Sequence, residues 1–75
     1  MTTSSDNYEQ RIAERLASLR AKKRWLVADA ADAIGTSKKT IYNWEAGIAV
    51  PSLRDLPRIA KAYGLSGPRA VIPAK

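Results

Sequence analysis

The stretch GTSKKTIYNWEAG, residues 35–47, decides how this chain is read. Two glycines bracket a run of lysine, threonine, serine, tyrosine, asparagine, tryptophan and one glutamate. The run is too polar for a buried helix and too well punctuated for a loose tail. Thr36 or Ser37 can cap a helix start by accepting from a free backbone N–H, and Gly47 stops it. On a helix over residues 37–46, Ile41 and Trp44 form an inward apolar edge at i, i+3. Lys39 and Asn43 share an outer face at i, i+4, and Lys38 and Tyr42 share the neighbouring one.

Upstream lies WLVADAADAIG, residues 25–35. Leu26, Ala30, Ala31 and Ile34 are expected on one face of a helix, Asp29 and Asp32 on the other, and Gly35 ends it. Two short helices joined by IGTS have the spacing of a helix-turn-helix. Before them, Asp6 as N-cap with Glu9 makes a capping box. Ile12, Ala13, Leu16, Ala17 and Leu19 then recur at helical spacing to about Lys23. The basic RAKKR, residues 20–24, suits the negative end of a helix dipole. Residues 1–5 are small and polar, and a disordered tail is expected there.

Downstream, IAVPSLRDLPRIAKAYGLS holds a fourth helix. With Asp55 as N-cap, Pro57 falls in the first turn, where no intrahelical N–H is missed. Leu56, Ile59, Ala60 and Tyr63 make its inner face, and Gly64 stops it. SGPRAVIPAK, residues 66–75, has room for one further turn. The expectation is an all-α fold: a compact bundle of four to five short helices. Residues 6–66 form the domain, and residues 67–75 form a C-terminal segment available for a dimer contact.

At 75 residues the chain is one domain. A domain this small buries only about 60–65% of its unfolded surface, so its stability margin is thin. It has no Cys and no His. Disulfides and the usual zinc sites are thereby excluded, and no metal and no cofactor are expected. No catalytic set can be named either, so the chain reads as a non-enzyme. The net charge of +6 calls for a polyanionic partner, nucleic acid or an acidic membrane surface. No apolar run approaches the roughly 18 residues of a membrane span, and MTTSSDN lacks the basic and apolar regions of a secretory signal. A cytoplasmic location is expected, and the absence of Cys fits a reducing compartment.

The outer face of the helix over residues 37–46 has a definite chemistry. At about 1.5 Å per residue it is roughly 15 Å long, and the major groove of B-DNA is about 12 Å wide. Lysine donates to guanine O6 and N7, and asparagine pairs with adenine N6 and N7. Tyr42 can touch a thymine methyl or a phosphate. The Ser37 and Thr40 hydroxyls, with the free N–H groups at the helix start, can hold phosphate. The candidate DNA-binding residues are therefore Ser37, Lys38, Lys39, Thr40, Tyr42 and Asn43. The plainer reading is that such side chains merely stay solvated. Their place on the second helix of a glycine-bracketed pair, in a basic chain, favours the groove.

Several spaced features then carry a resemblance. They are LR at 19–20, A-x-x-I-G-T-S at 31–37, T-I-x-x-W-E-x-G at 40–47, PSL at 51–53 and IAKAYGLS at 59–66. Over about residues 12–66 the chain resembles the Cro/repressor-type (XRE-family) helix-turn-helix domain, whose fold is lambda-repressor-like. The resemblance implies that Ser37, Lys38, Lys39 and Asn43 meet base edges and nearby phosphates, and that Thr40 lies on the phosphate side. It implies that Arg20 and Glu45 pair to tie the first helix to the third, and that pair is expected to be largely buried. Two positions depart from the pattern: Val27 and Ala46 stand where the family has polar phosphate anchors. Lys22, Lys23 and Arg24, or Arg54 and Arg58, are the substitutes at hand. Trp25 replaces a smaller apolar residue and is expected in the core.

The implied function is a sequence-specific DNA-binding transcriptional regulator, a small repressor or controller protein of the phage or mobile-element type. Its expected partners are double-stranded DNA carrying an inverted repeat, a second copy of the chain, and RNA polymerase as a contact; no membrane is expected. Ile48, Val50, Leu65, Val71 and Ile72 are the apolar groups available for a homodimer. The alternative is a protein-interaction module, an antitoxin or anti-activator, with Trp25, Val27, Tyr42 and Ala46 on its binding surface. An amphipathic membrane-surface peptide fits less well, because compact helices with stop signals lack one long basic face.

Overall fold

Ile12, Ala13, Leu16 and Leu19 are all buried on one side of a helix, Tyr8–Lys23, which is α1. The computed structural model describes residues 8–73. The Asp6 capping box, the N-terminal tail and residues 74–75 lie outside them. Three eight-residue helices follow: α2 (Val27–Ile34), α3 (Lys38–Glu45) and α4 (Asp55–Ala62). A single 3-10 turn, Pro68–Val71, closes the chain. Among the described residues there is no strand, and the fold is the all-α helix-turn-helix bundle expected from the pattern. Among the same residues no helix is long and apolar enough to cross a membrane.

The basic residues Arg20, Lys22 and Lys23 occupy the last turn of α1, where the helix dipole favours cations. Arg24 follows in the left-handed region at φ +59°, uncommon for a residue with a side chain. Trp25, which follows it, packs against the core, partly buried. The Trp25 and Tyr63 rings lie 5.4 Å apart.

The start of α2 differs from expectation. Leu26 was expected on its inner face, but it precedes the helix in extended backbone and is 71% exposed. The reason is a local hydrogen bond: the Leu26 N–H donates to Asp29 Oδ2 at 2.9 Å. That bond makes Leu26 the cap position, which points outward, and Val27 packs against the core instead. Ala30, Ala31 and Ile34 are buried as expected.

Gly35 ends α2 at φ +87°. Its N–H and that of Thr36 both reach the Ala31 carbonyl, at 2.8 and 2.9 Å. The positive φ, which a side chain would strain, turns the chain directly into α3.

The entry to α4 also differs. Asp55 is the first helical residue rather than the N-cap. Ser52 and Asp55 form the reciprocal turn: Asp55 N–H donates to the Ser52 carbonyl, and Ser52 N–H donates to Asp55 Oδ2, both at 2.9 Å. Pro57 still falls in the first turn. Leu56, Ile59, Ala60 and Tyr63 are buried, and α4 packs on α2 and on the 3-10 turn.

Val71, expected as dimer surface, is fully buried in the monomer core, with Leu65 and Ile72 packed against it. The 3-10 turn packs on α4 and α1. Arg15 fastens it by donating from Nη2 to the Ala70 carbonyl at 2.7 Å; its Nε is buried without a partner. A core this small gains from every apolar side chain it can cover, so the C-terminal segment seals the bundle.

Burial, helped by the nearby Glu45 carboxylate and opposed by Arg20, pushes the Tyr63 phenol up to about 12. A raised pKa contributes stability that is complete below the unfolded value near 10 and is lost as pH rises through the folded one. Urea unfolding across this window tests the placement. Wild-type stability is expected to fall more steeply than that of Tyr63→Phe, and parallel profiles contradict it.

Candidate nucleic-acid interface

α3 meets the core through two side chains only. Ile41 and Trp44 are buried, one turn apart, so every other side of this short helix faces outward or toward a neighbour. At its start Ser37 is the N-cap, and its Oγ accepts from Thr40 N–H at 3.1 Å. The Ser37 and Thr40 hydroxyls also share a hydrogen bond at 3.0 Å. Both candidate phosphate-side hydroxyls are thus engaged in holding the helix start, with one lone pair or proton each still available.

At its end α3 is held by charge. Arg20 Nε and Nη2 donate to Glu45 Oε2 and Oε1 at 2.8 and 2.9 Å. Arg20 Nη1 donates to the Trp25 carbonyl at 2.9 Å. One guanidinium therefore joins α1, the turn after it and the last residue of α3. The fork geometry is that of the stronger class of ion pair. Its side chains are 25% and 14% exposed, so the pair is partly rather than largely buried. The hydrogen bond to Glu45 raises the Arg20 pKa above its ordinary value, although burial opposes it.

With both ends fixed, Lys38, Lys39 and Tyr42 are exposed and Asn43 is half-exposed on the outer side of α3. Among the described residues none of these four side chains takes part in a hydrogen bond or salt bridge. The six candidate residues are thus brought together on one rigid element: two at its start and four along its outer faces. Beyond α3, the N–H groups of Ile48 and Ala49 both return to the Asn43 carbonyl, at 3.0 and 3.2 Å. The chain then exposes Ile48 (75%) and Leu53.

Among the substitute anchors, Lys23 lies over the Trp25 ring at 5.6 Å, and Arg58 is bonded within the protein. Lys22, Arg24 and Arg54 remain as exposed cations. Among the described residues no three carboxylates, His or Cys gather as a metal site, and there is no pocket. The surface offered is basic.

The family model described as a helix-turn-helix domain matches residues 11–71. The chain belongs to the helix-turn-helix family. No curated protein matches it. The match runs from within α1 to the last residue of the 3-10 turn. The family is one of DNA-binding domains, and α3 is its second, outward-facing helix.

Sequence reasoning missed Ser52 and Asp55 as a unit. Asp55 accepts from Ser52 N–H, from Ser52 Oγ at 3.0 Å and from Arg58 Nη2 at 2.7 Å. Burial disfavours its charge, but these bonds, that from the Ser52 N–H first, outweigh burial and hold its carboxyl below the usual value. The signal was present as S-x-x-D at 52–55, the capping-box spacing. Arg58 also donates from Nη1 to the Gly35 carbonyl at 3.0 Å, a contact that no local pattern announces.

Glu45→Gln leaves the shape of the pair and removes one charge, stranding Arg20. A partly buried charged hydrogen bond is worth about 1.5–3 kcal/mol, against about 0–1 for a surface pair. The melting temperature of the variant is expected to fall by several degrees; an unchanged midpoint contradicts a structural role for the pair.

Proposed function

We propose that this helix-turn-helix domain is a sequence-specific transcriptional regulator that reads the major groove with α3. The observation that carries the reading is the outer face of α3, where Lys38, Lys39, Tyr42 and Asn43 make no hydrogen bond or salt bridge among the described residues, on a helix fixed at both ends. Lys39 and Asn43 are the base readers, for guanine and adenine edges, and Lys38 and Tyr42 flank them. Ser37, Thr40 and the free N–H groups at the helix start face the phosphates. The basic balance of the chain supplies the general attraction to DNA. The protein is of the small repressor or controller type and acts in the cytoplasm, on the nucleoid; RNA polymerase is the contact through which such a protein could also activate.

One such helix reads only a few base pairs, too few to find a site among the competing sites of a genome. The regulator therefore works as a homodimer on an inverted repeat, with half-sites about 34 Å apart. Because Val71 belongs to the monomer core, the apolar groups left for the junction are Ile48 and Val50, exposed just after α3. Analytical ultracentrifugation with DNA is expected to give two chains per inverted repeat. One chain per site, indifferent to the second half-site, contradicts the dimer.

One observation favours a second reading. At the start of α2 the side chains are Leu26, widely exposed, and Val27. An apolar helix start is a poor phosphate anchor and a fair surface for a protein partner, as an antitoxin or anti-activator requires. Titration with DNA across salt separates the two. A groove reader loses affinity linearly in log salt, with a slope of about −0.9 per phosphate contact; a flat response favours the protein module. Lys39→Ala and Asn43→Ala are each expected to cost about 1–3 kcal/mol of discrimination between a selected site and scrambled DNA, with unchanged melting. Full discrimination in both variants contradicts the assignment.

A further inference from the structure

We propose that Arg58 is a positioning residue for α3: anchored by Asp55, its guanidinium fastens the Gly35 carbonyl in the turn between α2 and α3, and so fixes where the reading helix begins. This rests on the DNA-reading role proposed for α3.

The contact joins segments far apart in sequence. Arg58 Nη1 donates to the Gly35 carbonyl at 3.0 Å, and Nη2 donates to Asp55 Oδ1 at 2.7 Å. Asp55 Oδ2 in turn accepts from the Ser52 N–H at 2.9 Å and from Ser52 Oγ at 3.0 Å. The Gly35 carbonyl belongs to the C-terminal end of α2, where carbonyls lack helical donors. That end carries partial negative charge and favours a cation. The last turn of α2 has no basic residue of its own, so Arg58 supplies the charge from α4. The Asp55 carboxylate holds the guanidinium to its task, since a charge-assisted bond with two neighbouring bonds behind it is stiffer than a lone surface pair.

The consequence is geometric. Gly35 lies just before α3, and Ser52 lies in the loop after it. Both segments that flank α3 are tied to the first turn of α4 through one carboxylate and one guanidinium. Arg20 holds the far end of α3 through Glu45. Only Ile41 and Trp44 anchor α3 in the core, and two apolar contacts leave a short helix free to slide or roll by fractions of an ångström. Base hydrogen bonds tolerate little such movement, because they weaken quickly outside about 2.7–3.2 Å. A clamp at each end removes the freedom that the small core leaves.

Arg58 is also 45% exposed, so the competing role is a direct phosphate contact. The two roles predict different losses. A phosphate contact weakens binding to all sequences alike and makes the salt slope shallower by about 0.9. A positioning residue lowers discrimination and leaves the slope unchanged.

The test compares wild type, Arg58→Ala and Arg58→Lys. Each is titrated with a duplex selected from a random pool and with a scrambled duplex over a salt series. Amide hydrogen exchange of Gly35 and Thr36, whose N–H groups both bond Ala31, is followed against core amides such as Ile59. For Arg58→Ala the expected result is a drop of about tenfold in the ratio of affinities, the worth of one base contact, at constant salt slope. Gly35 and Thr36 should also exchange faster relative to the core. Arg58→Lys, which can still reach one acceptor, should recover part of both; if the alanine variant does not fold, the lysine variant carries the comparison alone. Unchanged discrimination, a shallower slope, or uniformly faster exchange at all amides overturns the proposal. If the wild type binds no DNA, the groove-reading role fails, and the exchange comparison still decides whether Arg58 holds the turn.

Discussion

The Arg20–Glu45 pair is the constraint on which the rest of the structure depends. α3 is eight residues long and mostly polar, and a helix of that length is marginal by itself in water. It persists because its two apolar residues are buried and its last residue is bound to α1 by a forked ion pair. The same guanidinium takes the Trp25 carbonyl, so the turn after α1 is set by the interaction that sets α3. Glu45 also resolves an electrostatic conflict. A carboxylate on the basic outer side of α3 would repel phosphate, and engagement by Arg20 keeps its charge inside the bundle.

A small core makes such polar ties valuable. Ala13, Ala30, Ala31 and Ala60 let helix backbones approach closely, but they cover little area. The larger apolar side chains come from every element, including the terminal turn with Val71. The Arg15 bond to Ala70 and the Arg58 bond to Gly35 follow the same economy: a long side chain on one helix satisfies a carbonyl at the end of another element. Such bonds fix relative positions that few apolar contacts would leave loose. Among the described residues the outer-face side chains Lys38, Lys39, Tyr42 and Asn43 make no hydrogen bond or salt bridge, the condition for a surface that binds something else.

What the sequence made legible follows from the range of each interaction. Helix ends were readable where a glycine supplies the positive φ, as at Gly35, Gly47 and Gly64. The inner faces of α1 and α4 were readable from their spacing, and Ile41 and Trp44 from theirs. Leu26 lies outward because the helix starts one residue beyond the apolar spacing, at a point that the Asp29 carboxylate determines. Asp55 lies one position inside the helix rather than at its cap, because S-x-x-D at 52–55 closes its reciprocal turn before the helix. Val71 sits in a 3-10 turn, where the 3.6-residue period does not apply, so its inward direction had no local signature. The Arg20–Glu45 pair came from family resemblance, since no local pattern links residues so far apart. Arg58 had no signal at all at its acceptor, because every residue has a carbonyl. The grouping of the polar residues on α3 was legible, since one helix carries them; what they touch is not encoded in that helix alone.

The claim that α3 enters the major groove is tested most directly by methylation interference on a site selected from random DNA. Dimethyl sulfate methylates guanine N7 in the major groove and adenine N3 in the minor groove. With Lys39 and Asn43 reading base edges from the major groove, methylated guanines within the site are expected to block binding, and methylated adenines to leave it unchanged. Interference from adenine N3 alone, with guanine N7 methylation tolerated throughout the site, would contradict the central claim.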